Sequence, residues 1–187
     1  MRLFTRTFFF IMLLVSLAGC KKNLDSEDLP GHIAIGNNYY TQFVIRYEKN
    51  IHKTTNYRRG GSIPINTPVK LIGINKRMIT IELSDAGQKI IINNIPKHTS
   101  QDIISIFDRY LARDQLNLSR FNQLERKHIK AGTVAKGMRK NAVIAAIGYP
   151  PATETIGLEA DTWVYWSHRY NKFNVEFNGN IVSEVVD

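Results

Sequence analysis

The rhythm of apolar positions changes several times along this chain, and each change marks an element. Phe8 to Leu17 is an apolar run interrupted only by Ser16, whereas Lys21 to about Ile35 is polar and broken by Pro30 and Gly31, the pattern of a tether. Four β-branched or aromatic stretches follow, Tyr39–Glu48, Ser62–Ile74, Met78–Leu83 and Lys89–Ile95, separated by turn residues such as Arg59-Gly60-Gly61 and Asp85-Ala86-Gly87. Val69 and Leu71 alternate with Lys70 and Ile72, and Ile79, Ile81 and Leu83 with Thr80 and Glu82, a period of two that puts one face on a core. Short strands with no helix between them predict a small antiparallel barrel or curved sheet over 36–98.

The period then lengthens. Thr99 with Asp102 three residues on reads as a capping box, and Ile103, Ile104, Phe107 and Leu111 follow at helical spacing. Leu116, Leu118, Phe121 and Leu124 extend that helix or form a second one, so 99–128 reads as a helical connection. Ala142, Val143, Ala146 and Ile147 make another helical stripe, ended by Gly148 and Pro150. Phe173, Val175 and Phe177 then alternate with Asn174 and Glu176, and Asn178-Gly179 signals a hairpin returning through Ile181, Val182, Val185 and Val186. The class expected is α+β.

The first apolar run is too short to span a bilayer, which needs about twenty residues. Arg2 and Arg6 before it and Lys21-Lys22 after it make 1–19 a signal peptide. Leu17-Ala18-Gly19-Cys20 resembles the bacterial lipobox, whose cysteine takes a diacylglycerol thioether and, after cleavage, an N-acyl chain such as palmitate. An ordinary secretory signal with a coincidental cysteine is the alternative. Lipidation is favoured because Cys20 is the chain's only cysteine and stands where the lipobox needs it. Three acyl chains would anchor it durably, with 20–35 as lipidated cysteine and tether. Lys21 in place of the aspartate that commonly retains lipoproteins in the inner membrane favours the outer membrane, with the folded part facing the periplasm.

Removing 1–19 leaves 168 residues and a formal charge of +7. No disulfide is then available, so the hydrophobic core must suffice. Arg58 and Arg59 form one of several scattered basic pairs. Anionic lipid, peptidoglycan or an acidic partner fits these in an envelope protein better than nucleic acid, and a solvated surface is the plain alternative.

Two resemblances bear on the fold. The strand spacing of 36–98 is loosely similar to an SH3-like barrel. Gly137-Met138, Lys140, Val143, Ile147-Gly148 and Pro150, followed by Trp163 and Tyr165, resemble the BamE (SmpA/OmlA) family of outer-membrane lipoproteins. That resemblance covers about 129–185 and implies a lobe, 129–187, of helices on a three-stranded antiparallel sheet, in a lipoprotein that supports outer-membrane protein assembly or envelope integrity by binding an envelope protein. Arg139 departs from the family's Ser or Thr, so that helix start must find another acceptor.

Catalysis finds no support in the sequence. Cys20 is committed to lipid, no Gly-x-Ser-x-Gly elbow occurs, and His32, His52, His98, His128 and His168 are scattered, so neither a metal nor another cofactor is expected. Alternation puts Trp163 and Tyr165 on one strand face and Trp166 on the other. With Arg169 and Tyr170 beside them, these side chains are the candidate binding surface of the lobe, the alternative being that both faces are covered. Arg58 and Arg59 are the candidates in the β-rich module. The two functions expected are therefore a non-enzymatic assembly scaffold and a lipoprotein that binds peptidoglycan or anionic lipid.

Overall fold

Alternating apolar residues build most of the first core. The computed structural model describes residue 24 and residues 26–187. The expected signal peptide, Cys20 and Lys21-Lys22 lie outside the described residues. The chain is α+β. Strands β1 (Asn38–Thr41), β3 (Ile51–Lys53), β5 (Pro68–Ile74), β6 (Met78–Leu83), β7 (Lys89–Asn93) and β8 (Leu111–Ala112) form one sheet in the order β3-β7-β6-β5-β1-β8. Its pairs are antiparallel except β3 with β7, which is parallel. Val69, Leu71, Ile79, Ile81, Ile90 and Ile92 are fully buried on one face, each such side chain being worth about 1.5–3 kcal/mol.

The expected barrel does not close. The sheet is mixed and open, ending in the three residues of β3 and the two of β8, edges too short to pair with each other. Strands β2 (Ile45–Tyr47) and β4 (Gly61–Ile63) form a separate two-stranded ribbon.

Two helical expectations change as well. Thr99 caps nothing: it ends the single turn α1 (Pro96–Thr99), where its buried hydroxyl donates to Asn94 Oδ1 at 2.9 Å. Asp102 is itself the N-cap of α2 (Ile103–Tyr110), accepting from Ser105 N–H at 2.7 Å. Helix α2 packs Ile103, Ile106, Phe107 and Tyr110 into the first core. Leu111 takes extended geometry instead of prolonging the helix, because it pairs with Thr41 in β8 and is buried there. The connection 99–128 is thus part helix, part strand and part loop.

The presumed tether also belongs to the fold. Leu24 N–H donates to Ile74 O at 2.8 Å, Leu24 packs on the first core, and Leu29 and Ile33 are buried within it. These three leucine and isoleucine side chains, spaced among polar residues, fasten the segment.

Helix α3 (Gln123–Ala131) straddles the boundary expected at 128/129 and, with α4 (Lys140–Ile147), covers the antiparallel sheet β11-β10-β9. Its strands are β9 (Thr162–His168), β10 (Asn171–Asn178) and β11 (Ile181–Val186). Asn178 pairs with Ile181, so the turn residues are Gly179 and Asn180, one place later than the sequence suggested. The φ of +59° at Gly179 suits glycine at the first central position. The two cores meet at 43–45: Phe43 and Ile45 point into the first and Val44 into the second, as a period of two dictates.

Candidate functional site

A basic cleft lies where β2 turns into β3. Glu48 and Ile51 bridge, leaving Lys49 and Asn50 at the turn with φ of +49° and +62°. Positive φ at both central residues matches the hairpin geometry usually given to Asn and Gly, so a lysine there is held in an unfavourable conformation. The cleft encloses about 320 Å³ and collects four cations, Arg46, Lys49, Lys53 and Arg59, with Tyr47 and Tyr57 in its wall. Glu48 is the one carboxylate in the lining and binds Arg59 Nε at 2.7 Å with both side chains about half exposed, an arrangement that contributes little to stability. The Arg46 Nε is buried and has no partner among the described residues. The site therefore has a surplus of donors and positive charge, chemistry suited to carboxylates, phosphates and sugar hydroxyls.

His52 forms the floor of the cleft. Its Nδ1 lies 2.6 Å from Arg46 O, which only accepts, so Nδ1 carries the proton. The neutral ring's Nε2 then accepts from Tyr110 O–H at 2.9 Å. Burial, helped by the Arg58 charge and opposed by the bond to Arg46, holds the imidazole down at about 4. That value lies below the ordinary one of about 6.5, so the unfolded chain binds a proton that the folded chain refuses. Stability from this group is full above pH 6.5 and is lost as pH falls toward 4, by roughly 3 kcal/mol. Thermal melts from pH 7 to 4 should show this slope in the native chain and a flatter one in His52→Gln; equal slopes would mean that another group titrates.

Arg58, expected at the surface, is a strut between the lobes. Its Nη1 donates to Val44 O at 3.2 Å, Asn56 Oδ1 at 3.1 Å and Ile147 O at 3.2 Å, and its N–H donates to Trp166 O at 3.0 Å. Burial, with the Arg46 charge nearby, lowers its pKa to about 10. Asn56 Nδ2 donates to Ile147 O and Tyr149 O at 2.7 and 3.0 Å, and Tyr165 O–H to Gly148 O at 3.0 Å. Three successive carbonyls at the end of α4 are thereby satisfied, with a cation at the negative end of the helix dipole. Arg59 alone of the expected basic pair is left to face a ligand.

The aromatic strand is reassigned too. Trp163 and Tyr165 are fully buried in the second core and offer a partner nothing. Trp166 is half-buried, with Tyr57 edge-on at 6.3 Å and Lys172 Nζ 4.5 Å above its ring. Tyr170 is 82% exposed at the β9–β10 turn, under the Arg169 guanidinium at 5.4 Å. The structure does not bring these five residues together.

The acceptor needed at the start of α4 is Glu125, fully buried on α3. It accepts from Arg139 N–H at 3.0 Å and from that guanidinium at 2.8 and 2.6 Å, and it completes the capping box of α3 by accepting from Asn122 N–H. The bonds from Arg139 bring its pKa down to about 2.

Arg46, Lys49, Lys53 and Tyr57 were not singled out from the sequence, where basic residues stood out as scattered pairs and short groups elsewhere and His52 only as one of five scattered histidines. The signal was present as five cations against one carboxylate over 46–59. Among the described residues no three His, Cys, Asp or Glu side chains come close enough to hold a metal ion, and no helix is long and apolar enough to cross a membrane. The chain matches no protein-family model, no curated protein and no solved structure.

Proposed function

We propose that the protein is a lipoprotein of the outer membrane, anchored through acylated Cys20, that binds an anionic cell-wall polymer without catalysis. The observation that carries this is the cleft of Arg46, Lys49, Lys53 and Arg59 walled by Tyr47 and Tyr57. Peptidoglycan offers stem-peptide carboxylates for the cations and sugar faces for the tyrosines. The left-handed conformation of Lys49 supports the reading, since strain persists at a turn where the side chain is needed. Purified sacculi should co-sediment the native chain and retain several-fold less of Lys49→Gly or Arg59→Glu. Lys49→Gly should also raise Tm by about 2–4 °C by relieving the backbone. Undiminished sedimentation of both variants would sink the cleft as the binding site.

A second reading, the assembly scaffold that the BamE-like residues imply, draws on β11. The 137–140 segment already bridges this edge strand at 180–182, but beyond it Val185 and Val186 stand at 38% and 42% exposure, and a strand edge left open there invites an added strand. Crosslinking in envelopes should then recover a protein partner that Val185→Asp abolishes with Tm unchanged. A partner retained by that variant would exclude the β11 edge.

A further inference from the structure

Only three residues separate Cys20 from Leu24, and at Leu24 the chain is already fixed to the fold by its bond to Ile74 O and its packing on the first core. Fully extended, that stretch reaches at most about 14 Å. No long leash therefore lies between the anchor and the globule. Ile74 closes β5, and the turn to β6 carries Lys76 and Arg77, both exposed. Asn94 N–H donates to Arg77 O at 2.8 Å, which brings exposed Lys97 of α1 to the same end of the sheet. Lys21 and Lys22 follow Cys20 directly in the sequence, which adds two cations beside the attachment point to these three, against Asp25, Glu27 and Asp28 in the segment around Leu24.

We infer that the end of the six-stranded sheet carrying the 75–77 turn rests on the bilayer, with Lys76, Arg77 and Lys97 against anionic phospholipid headgroups. The inference rests on acylation of Cys20 as proposed above. A short link forces proximity and the cations set the orientation, each adding attraction within about a Debye length of a negative surface. The β6–β7 turn at 84–88 is then held away from the membrane, because β6 spans six residues and a strand rises about 3.3 Å per residue.

The test uses the full-length chain purified from membranes, with acylation of Cys20 checked by mass spectrometry, in vesicles of phosphatidylethanolamine and phosphatidylglycerol. Because Cys20 is the only native cysteine and its sulfur is in the thioether, Lys76→Cys and Ala86→Cys each give one site for a fluorophore. Lipids bearing a headgroup quencher should quench the label at 76 at least three-fold more than the label at 86. Arg77→Glu with Lys97→Glu should at least halve that contrast. Equal quenching at 76 and 86, or stronger quenching at 86, overturns the orientation. Contrast unaffected by the charge reversals overturns the headgroup contact. An unacylated Cys20 overturns the anchoring itself and this inference with it.

Discussion

Gly148→Ala is expected to destabilise the protein by about 3 kcal/mol or more, the sum of two costs that share one cause. Gly148 ends α4 with φ +77° and ψ −166°, a region open essentially to glycine and worth about 1–3 kcal/mol to any other residue. A Cβ there would stand 2.6 Å from Phe43 Cε2, and forcing a buried ring aside costs about 1–3 kcal/mol more. Phe43 has little room, since Tyr110 lies edge-on at 4.6 Å. Urea unfolding measures the loss. A compensating Phe43→Leu should recover part of it by removing the clash while leaving the backbone strain. A loss below about 1 kcal/mol would mean that the seam between the lobes yields easily.

The second large effect is at Glu125, one carboxylate serving two helix starts. Glu125→Ala removes the acceptor for Asn122 N–H and Arg139 N–H and empties a fully buried position. Each lost cap is worth about 1 kcal/mol and the cavity adds to it, so about 2–3 kcal/mol is expected in chemical unfolding. Arg139→Met should cost at least as much at pH 7, because it leaves the fully buried carboxylate without its countercharge. The pH dependence has a definite sign. The folded pKa of about 2 lies below the ordinary 4.5, so this stabilisation is complete above pH 4.5 and is lost as pH falls toward 2. Acid unfolding should steepen there in the native chain and flatten in Glu125→Ala. An unchanged acid limb would place the proton uptake elsewhere.

His52 and Glu125 thus make the fold acid-sensitive in two adjoining windows, one near the cleft and one beneath α4. Lys49 shows the opposite relation. There stability is given up at an exposed turn, and Lys49→Gly should separate the two by raising Tm while weakening retention on sacculi.

Local periodicity determined a large part of this protein. Alternation along 69–83 and 173–177 set which side chains are buried, and the apolar stripe of 142–147 set α4, because these patterns act between neighbours two to four residues apart. The short apolar run ending at Cys20 carried the expectation of a lipid anchor by itself. Contacts between distant segments decided the rest. β3 lies parallel to β7 and leaves the sheet open, a pairing across some forty residues that no local pattern encodes. Thr99 reads as a cap yet turns inward to Asn94, and Leu111 fits a helical stripe yet pairs with Thr41, since burial outweighs a local preference of a few tenths of a kcal/mol. Arg58 and Arg59 look alike in sequence. One became a strut because the carbonyls of Val44 and Ile147 converge on it, and the other stayed at the cleft. The cleft needed folding most, since its cations come from both β2 and β3 and from the segment beyond them, and only the hairpin and the seam turn them toward one space.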